Sequence, residues 1–449
     1  MKKSIIFLFV LLFSFLLVSC QDKEEQNIIP LPEKEVIEEN VNQLSKDSIK
    51  ILAIGNSFSD DAMVNHMYGI LKAFGVNEII LGNMYIGGCT VETHFYNAVN
   101  DSPSYTYRKT SSNSDNPGVF VNTANMKLSD ALKDEDWDLI TLQQASHDSG
   151  MLSTYKVDQI NYILDLALKT TNKYKIQFAW HMTWAYHKNT GHSAFPKYSN
   201  DQLTMYEAIC GCVNQNIVNN DYINFVIPAG TAIQNARTSY LGDTLTEGDG
   251  YHLNTLGDYI AGLTWILKYT GWDINELNMD YVPSQFVRDI DVIKESCVNA
   301  IKNPYSVTDS TYLVKPELNI DLSQYELLDW QPRFGHWNST GGADATKIIT
   351  SMKNFVCSGK RFTKEELPVG TIIIIEEGWQ YRPDGWNLEN ANTTGTRPGN
   401  VTTEMIVVDE AWWGDYILRG FNVSSSSQPD LSNMVSEVGT KLKIYVPKA

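Results

Sequence analysis

The stretch Lys50–Ser59, KILAIGNSFS, determines the architecture of the first part of this 449-residue chain. Its apolar residues predict a buried strand that ends at a glycine turn and leads into a helix. Such a turn exposes the hydroxyl of Ser57 at the rim of a sheet, where the amino-terminal end of the helix helps to stabilise a developing oxyanion. Taken alone, the stretch is explained as simply by Ser57 or Ser59 capping the helix.

Further along the chain, short apolar runs alternate with stretches of helical periodicity. The runs lie at Ile51–Ile54, Ile79–Leu81, Leu139–Leu142, Ile176–Trp180 and Phe225–Ile227, and the helical stretches include Met63–Phe74 and Tyr259–Tyr269. Continuous apolar strands separated by helices indicate a parallel sheet that is covered on both faces. We therefore predict a three-layer α/β/α domain over residues 48–300, with its site at the carboxyl ends of the strands.

The composition changes after residue 300. Pro304 and Pro316 indicate a linker over 301–320, and short strand-like runs separated by Gly, Pro, Asn and Ser follow in 321–449. We expect a small all-β domain there, a sandwich or jelly roll. Six of the eleven tryptophans fall in it, at Trp330, Trp337, Trp379, Trp386, Trp412 and Trp413. Indole faces stack on sugar rings, which favours carbohydrate binding, but a β-sandwich core explains any single tryptophan better.

The amino terminus has the features of an export signal. Lys2 and Lys3 precede an apolar run over Ile5–Val18, and Cys20 follows. A basic start and an apolar run of this length are typical of a signal peptide and too short for a comfortable membrane span. The end of the run resembles a bacterial lipobox, which implies that residues 1–20 are processed and Cys20 is acylated. We expect residues 21–47 to form a flexible tether and the protein to be lipid-anchored at the cell envelope. The acidic residues after Cys20 favour the outer-membrane surface.

Net charge and cysteine content restrict the partners of the protein. The formal net charge is −18, which argues against nucleic acid as a partner and against a polyanionic substrate drawn in by long-range steering. Once Cys20 is set aside, five cysteines remain, an odd number. Cys210 and Cys212 have no second pair at a zinc-ligand spacing, so we expect buried thiols.

A carboxylate and an imidazole lie close together far downstream of Ser57. Asp249 and His252 are three residues apart and come just before an apolar helical stretch. One loop can hold both, and the carboxylate can then orient the imidazole so that its other nitrogen accepts the proton of Ser57. A surface loop with incidental charges is the alternative explanation.

Three motifs in this order resemble the blocks of the SGNH/GDSL hydrolase superfamily. Gly55–Ser59 is similar to its Gly-Asp-Ser-Leu-Ser block, Gly87–Thr90 to its second block, and Asp249–His252 to its closing Asp-x-x-His block. The resemblance covers residues 48–300. It implies an ester hydrolase with Ser57, Asp249 and His252 as its triad, no metal and no organic cofactor. It also implies that the N–H of Gly88 enters the oxyanion hole.

The chain departs from this family pattern in its first and third blocks. Asn56 replaces the usual Asp and Phe58 the usual Leu, and neither residue does the chemistry. The third block is absent, and Leu142–His147 stands in its place. Some carbohydrate-ester branches use a Gln here as an oxyanion donor, and Gln144 fits that position. An ungapped match instead places His147 where the family has Asn.

The resemblance to carbohydrate-ester branches implies a small acyl group, acetyl, carried on a carbohydrate substrate. Beyond the fourth predicted strand, His181 and Trp184 are expected to line the substrate pocket, and Arg237 is either a substrate contact or a surface residue. Two rival functions stay open at this point. One is a non-catalytic surface lipoprotein that binds glycans on a hydrolase-like fold, and the other is a metallohydrolase, although the histidines near His181 are loosely spaced for a metal site.

Overall fold

The computed structural model describes residues 44–171, 175–316, 322–337, 348–349, 354–376, 378–386, 405–408, 410–413, 416–425 and 441–448. The predicted signal peptide, the lipobox Cys20 and almost all of the predicted tether lie outside the described residues. Within those ranges, no helix is both long enough and apolar enough to cross a membrane.

A seven-stranded sheet forms the centre of the first domain. Its strands are β1 (Ser48–Gly55), β2 (Glu78–Tyr85), β3 (Tyr105–Ser111), β4 (Val121–Met126), β5 (Leu139–Leu142), β6 (Gln177–His181) and β7 (Phe225–Ile227), in the order β4-β3-β2-β1-β5-β6-β7. β2, β1, β5, β6 and β7 run parallel. Leu142 lies beside Ile54 and Trp180, so the carboxyl ends of three strands meet at one rim of the sheet.

Helices pack in two groups around this sheet. They are α1 (Ser57–Met63), α2 (Met67–Ala73), α3 (Val91–Val99), α4 (Leu128–Asp134), α5 (Val157–Thr170), α6 (Gln202–Asn216), α7 (Ala229–Arg237), α8 (Thr255–Thr270) and α9 (Ile290–Lys302). α1, α2 and α9 contact α8, whereas α3 and α4 contact α5. The predicted three-layer α/β/α arrangement is confirmed. The predicted helix over Met63–Phe74 is shorter than expected, because the chain turns at residues 64–66 before α2 begins.

The sequence predicted a parallel sheet, but the observed sheet is mixed. β3 runs antiparallel to β2, and β4 runs antiparallel to β3, so a hairpin forms one edge. Every residue of β4 except Met126 is exposed. Both faces of this strand meet solvent, so it has no apolar periodicity from which a strand can be predicted.

Residues 303–316, most of the predicted linker, are held against the first domain. The N–H of Thr308 donates to Asn235 Oδ1 at 2.7 Å, and Arg288 Nε donates to the carbonyl of Pro316 at 2.7 Å. These bonds involve polar groups of α7 and of the segment before α9, which no local pattern in the linker indicates. The segment therefore belongs structurally to the α/β domain.

The rest of the described chain is antiparallel β structure, as predicted. Its strands are β8 (Tyr325–Leu327), β9 (Pro332–Phe334), β10 (His336–Trp337), β11 (Ile348–Ile349), β12 (Val356–Ser358), β13 (Phe362–Thr363), β14 (Ile372–Ile375), β15 (Trp379–Trp386), β16 (Met405–Val407), β17 (Leu418–Ser425) and β18 (Leu442–Pro447), with a short helix α10 (Glu410–Trp413). β13, β17, β12, β9 and β15 form one sheet, and β16, β14, β18 and β8 form another. Trp330 and Trp413 are buried in the core of this region, while Trp379 and Trp412 are partly buried against it.

Gly82, in the middle of β2, supports a prediction about the packing of the central sheet. A Cβ at this position lies 2.9 Å from the ring of Trp137 and 3.0 Å from both Leu52 and Tyr107. These neighbours are buried and close-packed, so Gly82→Ala forces them apart. We expect the free energy of unfolding to fall by about 1–3 kcal/mol, the usual range for overpacking, measured by chemical denaturation of the full chain.

Gly69 provides the matched control for that substitution. It lies inside α2, and a Cβ there meets no heavy atom within 4 Å. Gly69→Ala is expected to raise the free energy of unfolding by about 0.5–1 kcal/mol, since alanine loses less conformational freedom in a helix. Equal effects of the two substitutions would contradict the packing described around Gly82.

Candidate active site

A buried chain of hydrogen bonds joins the strand ends beneath Ser57. Asn56 Oδ1 accepts from the N–H of Phe58 at 3.0 Å and from Gln143 Nε2 at 2.7 Å. Asn56 Nδ2 donates to the carbonyl of Cys89 at 3.0 Å, and Gln143 Oε1 lies 2.7 Å from His181 Nδ1. The ends of β1, β5 and β6 and the turn after β2 are therefore tied to one another at the rim.

Ser57 is the first residue of α1, and the turn before it requires glycine. Asn56 is extended and caps the helix through its side chain. A Cβ on Gly55 lies 2.4 Å from Ser59 Oγ and 3.2 Å from Gln143 Cδ. Only glycine allows both side chains to approach the backbone this closely, and their approach sets the path of the chain into Ser57. Ser57 itself is half-buried.

Asp249 and His252 form a hydrogen-bonded pair on the loop before α8. Asp249 Oδ2 lies 2.7 Å from His252 Nδ1, and Asp249 Oδ1 accepts from the N–H groups of Tyr251 and His252 at 2.9 and 3.1 Å. Partial burial alone raises the pKa of Asp249, but these N–H groups and the His252 ring outweigh it and hold that pKa below its ordinary value. An ionised Asp249 therefore directs His252 Nε2 away from the carboxylate.

This loop is attached to the helix that Ser57 begins. The N–H of Leu253 donates to Asp61 Oδ2 at 3.0 Å, and the rings of Phe58 and His252 lie 6.0 Å apart in an edge arrangement. Among the described residues, the structure records no hydrogen bond between the hydroxyl of Ser57 and His252. The convergence of these two groups stays a prediction, and the contacts show that their supporting segments are neighbours.

Asp61 has a structural task that the sequence did not indicate. Burial raises the pKa of Asp61 to about 7, although the N–H of Leu253 opposes that shift. Burial, together with the charge of Asp61, raises the pKa of Asp258 to about 9. Asp61 lies within α1, and its neighbours in the sequence give no sign of a distant partner. In the structure it holds the loop of Asp249 and His252, a contact between segments 192 positions apart.

Gln144 points away from the role predicted for it. Its Nε2 donates to the carbonyl of Thr154 at 3.0 Å and to the Thr154 hydroxyl at 3.1 Å, and its Oε1 accepts from the N–H groups of Val91 and Ala145. Both amide hydrogens are therefore engaged in holding loops together. These contacts argue against Gln144 as the oxyanion donor. The alternative residue, His147, is about one-third exposed, and its Nε2 lies 3.7 Å from an oxygen of Asp148.

Gly88 lies in the tight turn after β2. Its φ is +62°, in the left-handed region that favours glycine, and it is exposed. The N–H of Ile86 donates to the carbonyl of Gly55 at 3.3 Å, and Cys89 accepts the bond from Asn56 described above. The turn that carries Gly88 is thus fixed at both ends to the segment that carries Ser57.

His181 and Trp184 were predicted to line an open substrate pocket, but both side chains are buried. They are 1% and 0% exposed, and burial lowers the pKa of His181 to about 3. The ring of Trp184 stacks on Phe58 with centroids 4.3 Å apart, and its Nε1 donates to the carbonyl of Tyr251 at 2.9 Å. Trp184 therefore supports both the Ser57 helix and the loop of His252 from below.

A polar cavity lies on the Asp249 side of the pair. It has a volume of about 270 Å³, and its walls are polar residues and glycines of two loops, 187–191 and 246–250, together with Asp243.

Arg237 Nε lies 2.9 Å from Asp243 Oδ1, and burial lowers the pKa of Arg237 to about 10. Arg237 was expected to be either a substrate contact or a surface residue. It is instead a buried side chain that pairs with Asp243. The described residues contain no group of three or more His, Cys, Asp or Glu side chains placed to hold a metal ion.

Comparisons with known proteins identify one family. Residues 50–300 match the family described as a domain of unknown function, DUF4886. A DUF4886 family protein of Bacteroides uniformis is 38% identical and has a TM-score of 0.55, and the match covers 60% of this chain and all of that one. Among curated proteins, no match is found.

Two more distant solved structures are also similar. One is a protein of Slackia heliotrinireducens assigned provisionally as an SGNH hydrolase, with 21% identity, a TM-score of 0.32, and coverage of 50% of this chain and all of that one. The other is the lipase/acylhydrolase of Enterococcus faecalis, with 11% identity, a TM-score of 0.32, and coverage of 50% and 96%. Scores this low carry no argument about function.

The contacts of Gln144 give a prediction that separates its two roles. Gln144→Ala leaves the buried N–H of Val91 without its acceptor, so we expect the free energy of unfolding to fall by about 1–3 kcal/mol. We expect kcat on an acetyl ester to fall less than about tenfold. Loss of an oxyanion donor instead lowers kcat by roughly 10²–10³-fold. Denaturation and steady-state kinetics on the same preparation decide between the two, and a large loss of kcat without a loss of stability restores the original assignment.

Proposed function

Since this chain belongs to the DUF4886 family, a domain of unknown function, we propose its activity from its own site: it is a serine hydrolase of carboxylic esters, of the SGNH/GDSL type. The observation that carries the proposal is the 2.7 Å contact of His252 Nδ1 with Asp249, on a loop bonded to the helix that Ser57 begins. A nucleophile, a base and a group that orients the base are the three parts that acyl transfer by serine requires.

In the proposed reaction, Ser57 Oγ attacks the carbonyl carbon of the ester while His252 Nε2 accepts the hydroxyl proton. The tetrahedral intermediate collapses to an acyl-serine, and His252 returns the proton to the leaving alkoxide. A water molecule, deprotonated by His252, then attacks the acyl-serine, and His252 returns this proton to Ser57 Oγ as the carboxylic acid leaves. Asp249 stays ionised throughout and stabilises the imidazolium that forms in each half.

The N–H groups of Ser57 and Gly88 are the proposed donors to the oxyanion. Support comes from the way their segments are fixed, since one side chain, Asn56, bonds to the helix of Ser57 and to the carbonyl of Cys89, next to Gly88. Donors that are held in place before the reaction do not have to be reorganised during it. No third donor is assigned, because the contacts of Gln144 argue against it.

The proposed substrate is a carbohydrate that carries a small acyl group, acetyl. The sequence resemblance to carbohydrate-ester branches supports it. The polar cavity beside Asp249 has walls that suit hydroxyl groups better than an apolar chain, but Ser57, Gly88 and His252 are not among its lining residues. The tryptophans of the second domain give this substrate little support. Trp330 and Trp413 are 7% and 1% exposed, and their indoles are core side chains.

Turnover of a chromogenic acetyl ester by the purified protein tests the activity. Ser57→Ala is expected to lower kcat by about 10⁴-fold or more, the scale for removing a serine nucleophile. Ser57→Ala is also expected to abolish covalent labelling by a fluorophosphonate. Ser129→Ala, early in α4, is the control and should keep both signals.

Other outcomes of this experiment favour other functions. Equal turnover by the wild type and Ser57→Ala excludes Ser57 as the nucleophile. A wild type that neither turns over the ester nor reacts with fluorophosphonate, but binds glycans, favours the non-catalytic alternative. Activity that a chelator abolishes favours the metallohydrolase.

The proposed location is the cell envelope, with a lipid on Cys20 as the anchor. The support is the lipobox-like end of the apolar run in the sequence, which lies outside the described residues. Cys20→Ala is expected to release the protein from the membrane fraction or to leave its signal peptide uncleaved. Metabolic labelling with a fatty acid, followed by fractionation, measures this. Absence of label on the wild-type protein contradicts the proposal of a lipid on Cys20.

A further inference from the structure

Three buried polar side chains lie under the Ser57 turn and bond only to one another and to backbone among the contacts described. Asn56, Gln143 and His181, here called the rim relay, are each 1% exposed. They come from the ends of β1, β5 and β6, and none of them is part of the proposed triad. Buried polar groups are costly unless they are paired, so a chain of three at this position calls for an explanation.

The hydrogen bonds of the rim relay fix the direction of every donor in it. Asn56 Oδ1 accepts from the N–H of Phe58, and Asn56 Nδ2 donates to the carbonyl of Cys89, so the amide of Asn56 has one orientation. Gln143 must then donate through Nε2 and accept through Oε1. It follows that His181 donates to Gln143 from Nδ1, at 2.7 Å.

The second nitrogen of His181 has no such partner within the described part of the chain. Nε2 is buried there without a hydrogen bond, and the ring meets the edge of Trp265 with centroids 4.6 Å apart. The polar contact of this imidazole is therefore the one to Gln143. A histidine placed only for packing has no need of this rarer tautomer, in which Nδ1 carries the hydrogen and Nε2 does not.

We infer that the rim relay is a positioning device for the ester hydrolysis proposed above, on which the inference rests: His181 holds Gln143, Gln143 holds the Asn56 amide, and Asn56 sets the separation between Ser57 and the Gly88 turn. The relay touches the two segments that carry the proposed nucleophile and the proposed oxyanion donor. Asparagine at position 56 is explained as well, because aspartate has no hydrogen to donate to the carbonyl of Cys89.

The chain provides a matched control for the loss of His181. His94 is also fully buried, and its Nδ1 lies 3.0 Å from the hydroxyl of Tyr105. Among the residues that the structure describes, its Nε2 has no hydrogen-bond partner. His94 has no bond to Asn56 or Gln143. His181→Phe and His94→Phe therefore each remove one hydrogen bond of a buried Nδ1, and only the first interrupts the relay.

The experiment measures kcat, KM and the melting temperature of the two variants on a chromogenic acetyl ester. We expect similar melting temperatures for both, and a fall in kcat of about 10–100-fold with unchanged KM for His181→Phe alone, since small misplacement of reacting groups lowers the rate steeply. Asn56→Asp, which keeps the acceptor of the relay and removes the donor to Cys89, is the second variant and should give the same kinetic pattern. If His181→Phe does not fold, Asn56→Asp still tests the inference.

Equal kcat values in His181→Phe, Asn56→Asp and His94→Phe overturn the inference, as does a rise in KM with unchanged kcat. If the wild type has no esterase activity and Ser57 does not react with fluorophosphonate, the proposed function fails. The hydrogen bonds of the relay are then tested by a measurement that does not depend on activity. Nitrogen-15 NMR of histidine-labelled protein reports the tautomer of His181. A hydrogen on Nδ1 that responds to Asn56→Asp supports the relay, and a hydrogen on Nε2 overturns it.

Discussion

The buried hydrogen bond from Gln143 Nε2 to Asn56 Oδ1, 2.7 Å long, is the contact on which the geometry of the site depends. It joins the ends of two neighbouring parallel strands at the point where both leave the sheet. In a parallel sheet, the ladder itself sets the spacing of the strands but not the path of the loops beyond them. Here the side-chain amides of Asn56 and Gln143, each one residue beyond its strand, add a further hydrogen bond between the two chain segments. Gly55 makes the pair sterically feasible, because any Cβ there meets the side chains of Ser59 and Gln143.

A second set of contacts holds the other half of the site. Asp249 accepts the N–H groups of its own turn, and its carbonyl accepts the hydroxyl of Thr190 at 3.0 Å. Asp61 holds the same loop to α1 from the other direction. The half with Ser57 and Gly88 is therefore ordered by uncharged amides, and the half with His252 by carboxylates. The two halves meet where the ring of Phe58 lies between Trp184 and His252.

The parts of the fold that bury both faces of an element were predictable from the sequence, and the parts that depend on distant partners were not. The apolar runs marked β1, β2, β5, β6 and β7, whereas the exposed strand β4 gave no signal. If the alternation of β5 continued past its end, the side chains of Gln143 and Gln144 would face opposite sides of the sheet. β5 ends at Leu142, so that alternation does not extend to either glutamine. The stacking of Phe58 on Trp184 joins residues far apart in sequence, which no local pattern reveals.

The attachment of residues 303–316 to the α/β domain shortens the connection between this domain and the β region. Five residues, 317–321, separate Pro316 from the next described segment, so Leu322 lies within about 20 Å of Pro316 even at full extension. At full extension, a linker of the whole predicted length, 301–320, spans roughly three times more. The β region therefore begins close to the first domain, and a connection this short gives two linked sites an effective concentration in the millimolar range.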